Sequence, residues 1–477
     1  MRGSKSLFAF GLALACAAIT LSLAVRAQAQ TFSYLANFDG ANGYQPFGSV
    51  IQATDGNFYG TTTNGGGHGY GNVYRITPGG ELTSIYNFCV RLNCSDGETP
   101  ESAPVLGSDG NLYGTTTGIG SSTEYGYGTV YKLTLDGEIK LLYTFCSLPE
   151  CVDGAAPNGI MLASDGNFYG TTAWGGNSNH GTIFKISPTG EFTSLYSFCS
   201  LANCVDGIFP AYPPIQGSDG NFYGATAGSP GNSVLYRLTP EGDYTAFFTF
   251  CYGTATCTNG SRALTIVQDA SGNFFGTTVW GGANGNYGTV FEVTSTNKFI
   301  TLHSFDNTDG AYPNGGLTLA SDGNFYGITA EGGPAGVGTI FEITPSGGFR
   351  TLYTFAPPYG YEPTGTLLQG TNGNFYGATP GGPGFDPFGT IFEFSNGLGP
   401  SIQTAPGAGE VGQSVLILGN NLTGSTSVTF NGVAAAFTVE SDTYIKATVP
   451  AGSTTGTVSV VTPSGTLNSN PQFVVTK

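Results

Sequence analysis

Charge is scarce in this sequence: Asp, Glu, Lys and Arg make up 9% of 477 residues, and 14 Lys plus Arg face 31 Asp plus Glu. The formal net charge of −17 describes a surface that repels phosphate backbones, so nucleic acid is disfavoured as a partner. Histidine is rarer still. His68, His180 and His303 are the only three, they stand in distant segments, and no paired carboxylates occur at a recognisable spacing. No catalytic residues are therefore assigned, although loops far apart in sequence can assemble a site without leaving a motif. Long apolar runs are missing beyond residue 25, and no membrane helix or sorting tail is visible after Phe473. What fills the space instead is 77 Gly and 13% aromatic residues, a turn-rich β composition rather than a disordered acidic one.

The chain opens with Arg2 and Lys5, an apolar run from Leu7 to Val25, and "RAQAQ" with small residues at Ala27 and Ala29. This pattern predicts a signal peptide over residues 1–29 and hence export. Cys16 follows Ala13, Leu14 and Ala15, a poor lipobox inside a continuing apolar run, which argues against lipidation. Without Arg2, Lys5 and Arg26, 11 basic residues remain against 31 acidic ones, a net of −20 for the mature chain. The other eight cysteines form local pairs: Cys89 with Cys94, Cys146 with Cys151, Cys199 with Cys204, and Cys251 with Cys257. An even count at repeated spacing in an exported chain predicts disulfides, and the competing zinc reading lacks a nearby His.

"SDGNFYGTT" at Ser164 has close copies at Ser108, Ser218 and Ser321, and its core recurs seven times, at Asp55, Asp109, Asp165, Asp219, Ser271, Asp322 and Asn372, every 50 to 56 residues. Each copy is followed by a strand-like phrase such as "TIFKIS" at Thr182, then by one such as "EFTSLYSF" at Glu191. Four short strands per unit, apolar on both faces, predict a propeller blade. The last phrase occurs only six times inside the units. Its seventh copy, "TFSYLANF", stands alone at Thr31–Phe38, so the N-terminal strand is expected to close the ring against the last unit. The reading is all-β: a seven-bladed propeller over 30–396 and, after the period breaks, a small Ig-like sandwich over 397–477.

The unit "SDGNFYGTT…GTIFKISPTGEFTSLYSF" resembles the GloVer tandem repeat of secreted bacterial proteins, which implies no established activity. More distantly, "DGN-aromatic" followed by "RITPGGELT" is similar to the propeller of streptogramin B lyase. That family relies on a His and a magnesium site, for which no matching motif occurs here. The stretch "VGQSVLILGNNLTGSTSVTFNGVAAAF" resembles the IPT/TIG immunoglobulin-like domain, which implies a spacer or adaptor in an exported protein.

Tight Asp-Gly turns between first and second strands leave the longer, variable loops together at the opposite end, the default binding face. On it fall Trp174 and Trp280, at the same position in two units, with His180, Tyr287, His68, Tyr70, Tyr125 and Tyr127 in the same or sister loops. They read either as an aromatic platform for sugar rings or as plugs that pack glycine-rich loops. A second series, "DGxxP", places Asp96, Asp153, Asp206 and Asp309 before four of the first strands, either as turn formers or as candidates for a calcium site. No other cofactor is expected. The function expected is that of a secreted or cell-surface binding or scaffold protein engaging an extracellular glycan or surface protein. An extracellular lyase or hydrolase and a surface-layer component are the alternatives, and oligomeric state is not legible.

Overall fold

In the computed structural model, residues 30–118, 127–228, 233–251, 257–356, 362–381 and 388–476 are described. The segment expected to be a signal peptide lies outside them. Seven antiparallel sheets follow one another along the chain: blade 1 over 44–87, blade 2 over 105–144, blade 3 over 155–197, blade 4 over 215–249, blade 5 over 261–304, blade 6 over 318–354 and blade 7 over 364–395. Blade 7 takes its fourth strand from the other end of the chain. Thr31–Asn37 pairs antiparallel with Thr390–Ser395, from Thr31 opposite Ser395 to Asn37 opposite Thr390. The ring is thus closed as the strand count predicts, with no open edge between first and last blades.

The repeated phrase builds each blade and ties it to the next. In "DGN-aromatic-Tyr" the Tyr hydroxyl donates back to the Asp carboxylate, as in Tyr59 to Asp55 at 2.7 Å, Tyr169 to Asp165 at 3.0 Å and Tyr223 to Asp219 at 2.7 Å. Where blade 5 has Ser271 for the Asp, it has Phe275 for the Tyr, so donor and acceptor disappear together. The same rings stack across blade boundaries: Tyr113 on Phe168, Tyr169 on Phe222, Tyr223 on Phe274, Phe275 on Phe325, Tyr326 on Phe375 and Tyr376 on Phe58, with centroids 3.9 to 4.4 Å apart. Such pairs each add about 0.5–1.5 kcal/mol beyond the area they bury. A second tier joins the outer strands, where Phe32 of the closing strand stacks on Tyr353 at 4.0 Å.

A third tie was not read from the sequence. Gln52, Gln216, Gln268 and Gln369 end the first strands of blades 1, 4, 5 and 7. Each side-chain oxygen accepts the backbone N–H of the preceding blade's turn: Thr371, Ser164, Ser218 and Ser321 in that order, at 2.8 to 3.0 Å. Each amide nitrogen donates to a glycine carbonyl in its own turn. Blades 2, 3 and 6 carry Leu106, Leu162 and Leu319 at this position.

Beyond Pro400 the chain forms a sandwich of two four-stranded sheets and a parallel pair, Ala408–Glu410 with Val474–Thr476. The run "SVTFNGVAAAF" splits into three strands because Asn431 and Gly432, both at positive φ, turn the chain between Ser427–Phe430 and Val433–Ala434. This domain docks directly on the propeller. Leu416 and Leu418 share one apolar cluster with Ala53, Tyr59, Leu106 and Leu112 of blades 1 and 2. Asn420 Nδ2 donates to Thr371 Oγ1 at 2.7 Å, and Asn470 Nδ2 donates to the Leu319 carbonyl at 2.8 Å. Two cavities of about 310 and 260 Å³ lie between it and first-strand ends drawn from all seven blades, so it sits over the propeller axis. The end it covers is the turn end.

Candidate functional site

The antiparallel order puts the loops after the second strands, and the segments that lead into the next blade, at the end remote from the sandwich. Two sequence positions lock these together. The Gly that opens the third strand in six of the seven blades, blade 4 having Ser233 there, has no room for a side chain: a Cβ on Gly181 would stand 2.9 Å from Pro210 of the next blade, and one on Gly288 would stand 2.6 Å from Pro313. The Pro is the last residue of "DGxxP". The residue before it is held at positive φ in every blade: Gln45, Thr99, Ala156, Phe209, Tyr312 and Glu362, with Arg262 in the one unit that lacks the Pro, all between 53° and 58°. Its N–H donates across the junction, Phe209 to the His180 carbonyl at 3.0 Å and Tyr312 to the Tyr287 carbonyl at 2.9 Å. The backbone is therefore fixed seven times over while the side chain varies freely.

All four expected disulfides are present. The Asp residues of "DGxxP" organise the loops that three of them brace. Asp96 accepts from the Tyr86 hydroxyl at 2.7 Å and from the N–H groups of Val90 and Arg91. Asp153 and Asp206 accept from Tyr143 and Tyr196, from the backbone and hydroxyl of Ser147 and Ser200, and from the N–H of Leu148 and Leu201. In blade 5 His303 replaces the tyrosine, its Nε2 2.8 Å from Asp309 Oδ2 and its ring stacked on Phe349 at 3.8 Å. Each carboxylate is thus engaged by donors of its own loop, and three of the four, Asp96, Asp153 and Asp206, are buried. Among the described residues the one group of metal-ligating atoms gathered in space is Cys89, Cys94 and Glu98, two of which form a disulfide.

The aromatic candidates stand at the blade junctions of this end. Trp174 and Trp280 end equivalent second strands and are 40% and 38% exposed. The Trp174 ring meets Phe209 edge-on at 4.7 Å, and His180 lies 5.2 Å from the same Phe209. Two blades on, Tyr287 lies 6.1 Å from Tyr312, and the Arg262 guanidinium stands over Trp280 at 5.1 Å. Tyr70, Tyr127 and His68 are exposed in sister loops, the first two giving their carbonyls to Thr99 and Ala156. Tyr125 lies outside the described residues. Phe209 and Tyr312 do not show in a single repeat, because they sit in the neighbouring blade's "DGxxP", where the Asp is the recurrent residue.

Two carboxyls also belong to this end. Glu98 and Glu101, in the segment between blades 1 and 2, are both held above the usual carboxylate range by desolvation. One Glu98 oxygen is buried without a hydrogen-bond partner. Their neighbour Ser102 lies within van der Waals reach of a Cβ placed on Gly48 of blade 1 or on Gly159 of blade 3, which sets this segment near the axis.

Closed seven-bladed ring, capped turn end and aromatic loop end together define a repeat propeller with an accessory Ig-like domain. By sequence, residues 21–226 and 210–435 match the Gloeobacter/Verrucomicrobia repeat, and residues 400–475 match the IPT/TIG domain. The chain belongs to the Gloeobacter/Verrucomicrobia repeat family. No curated protein matches the sequence. Similar solved structures include a puromycin hydrolase, 12% identical with a TM-score of 0.49 over 81% of this chain and 61% of that one. Others are the PQQ-bound aldose sugar dehydrogenase of Streptomyces coelicolor, 12% identical with a TM-score of 0.40 over 77% and 98%, and a putative gluconolactonase, 10% identical with a TM-score of 0.36 over 77% and 92%.

Proposed function

We propose that this chain is an exported binding or scaffold protein that engages an extracellular ligand, a glycan or a surface protein, through the loop end of its propeller. One observation carries the reading: the IPT/TIG domain occupies the axis at the turn end, whereas the loop end displays exposed rings on a rigid frame with variable side chains. Four disulfides support an oxidising compartment, and among the described residues no helix is long and apolar enough to cross a membrane. The test is co-sedimentation of the mature chain with cell envelopes and extracellular matrix of the producing organism. Tyr70→Glu with Tyr127→Glu at the loop end should release the protein, while Asp136→Lys with Glu241→Lys at the turn end should not. The reverse pattern would refute it.

A second reading, an extracellular hydrolase or lyase, draws on Glu98 and Glu101, since carboxyls with raised pKa near an axis are suited to general acid work. Turnover of a bound polymer that is lost in Glu101→Gln would favour it over binding alone.

A further inference from the structure

Seven junctions share one backbone, yet two differ from the rest in what they present. At junction 3/4 Trp174, His180 and Phe209 come together, and at junction 5/6 Trp280, Tyr287 and Tyr312 occupy the same three positions. The other five junctions have Asn64, Gly118, Gly228, Glu331 or Gly381 where these two have Trp. Packing needs do not explain the pair, because the interblade contact of Gly and Pro is complete without a tryptophan at four of the other five junctions, and at the fifth Ser233 Oγ accepts the Ala263 N–H instead.

We propose that these two junctions are equivalent carbohydrate subsites, each taking one ring of a neutral polysaccharide against its tryptophan. This rests on the loop-end reading above. The chemistry follows from the surroundings. An exposed indole face offers a flat apolar surface to the CH side of a pyranose, and at junction 3/4 Phe209 stands beside that ring with His180 against Phe209. Neither triad contains a carboxylate, and the net charge of −20 on the mature chain opposes an anionic polymer. Because the sites sit two blades apart on one rigid ring, a chain long enough to reach both binds with an avidity that a single ring lacks. Junction 5/6 is the weaker, since Arg262 already covers one face of Trp280.

The experiment is affinity gel electrophoresis of the mature protein through hydroxyethyl cellulose, galactomannan, xylan and laminarin, with polygalacturonate as the anionic control. At least one neutral polymer should retard it and polygalacturonate should not. Trp174→Leu, which keeps apolar volume against Phe209, should weaken retardation about tenfold or more, and Trp280→Leu by less, each with unchanged circular dichroism. The double variant should run free. No retardation of the folded wild type by any neutral polymer, or full retardation of the double variant, overturns the proposal. Retardation that survives in the double variant but disappears in Tyr70→Glu with Tyr127→Glu condemns the triads and leaves the loop-end reading standing. Retardation that survives in both removes the two together.

Discussion

The two ends of the propeller are made from the same strands and obey opposite rules. At the turn end the repeat returns to the same few bonded pairs, Tyr to Asp in five blades and Gln to the neighbouring turn in four, and the sandwich adds Leu416 and Leu418 to a core shared with blades 1 and 2. At the loop end the backbone repeats just as faithfully, as the seven residues at φ 53° to 58° show, but the side chains they carry are Gln, Thr, Ala, Phe, Arg, Tyr and Glu. Repetition of chemistry marks where the molecule is held together. Repetition of backbone under changing chemistry marks where it has freedom to recognise something.

The largest test of that contrast is Leu416→Asp. Leu416 is 4% exposed between blades 1 and 2 and the sandwich, so an aspartate there buries a charge with no partner. The cost should be about 3 kcal/mol or more, read as a fall in the urea midpoint. An unchanged midpoint would mean that the IPT/TIG domain leaves the propeller freely and that the turn end is not capped in solution.

Gln216→Leu is a finer probe, since leucine is what blades 2, 3 and 6 carry at this place. The substitution leaves the Ser164 N–H and the Gly220 carbonyl without their side-chain partner. Stability should fall by about 1–2 kcal/mol by denaturant titration, because the partners of a removed hydrogen-bonding group lose more than one net hydrogen bond is worth. Equal stability would show that leucine packing replaces the tie, and that the turn end tolerates variation as the loop end does.

These details mark how far the sequence was legible. The ring and its closure by Thr31–Asn37 follow from counting phrases, because a strand that is missing from one unit and alone at another must pair, and the four disulfides follow from cysteines paired at repeated local spacing. The glutamine ties could not be counted, since they occur in four blades of seven. The docking of the IPT/TIG domain was hidden for a different reason. Leu416 and Leu418 are ordinary strand residues, and nothing in their own neighbourhood says that their partners lie some 300 residues away in Leu106 and Leu112. At the loop end, Trp174 was legible as a rare residue but Phe209 was not, because the junction is built from two units and a period shows only what one unit contains.

The smallest expected effect comes from making the same change at the opposite end. Leu92 tips the first disulfide loop and is 86% exposed, so Leu92→Asp removes little buried area and places the new carboxylate in water. Its cost should be under about 0.5 kcal/mol, several-fold below that of Leu416→Asp, when both are measured by denaturant titration. One residue type, one substitution and two ends then give the contrast its number. If Leu92→Asp proved as costly as Leu416→Asp, the disulfide loops would have to be packed against something in the folded molecule, and the variation seen at this end would reflect seven local packing solutions rather than a surface free to recognise a ligand.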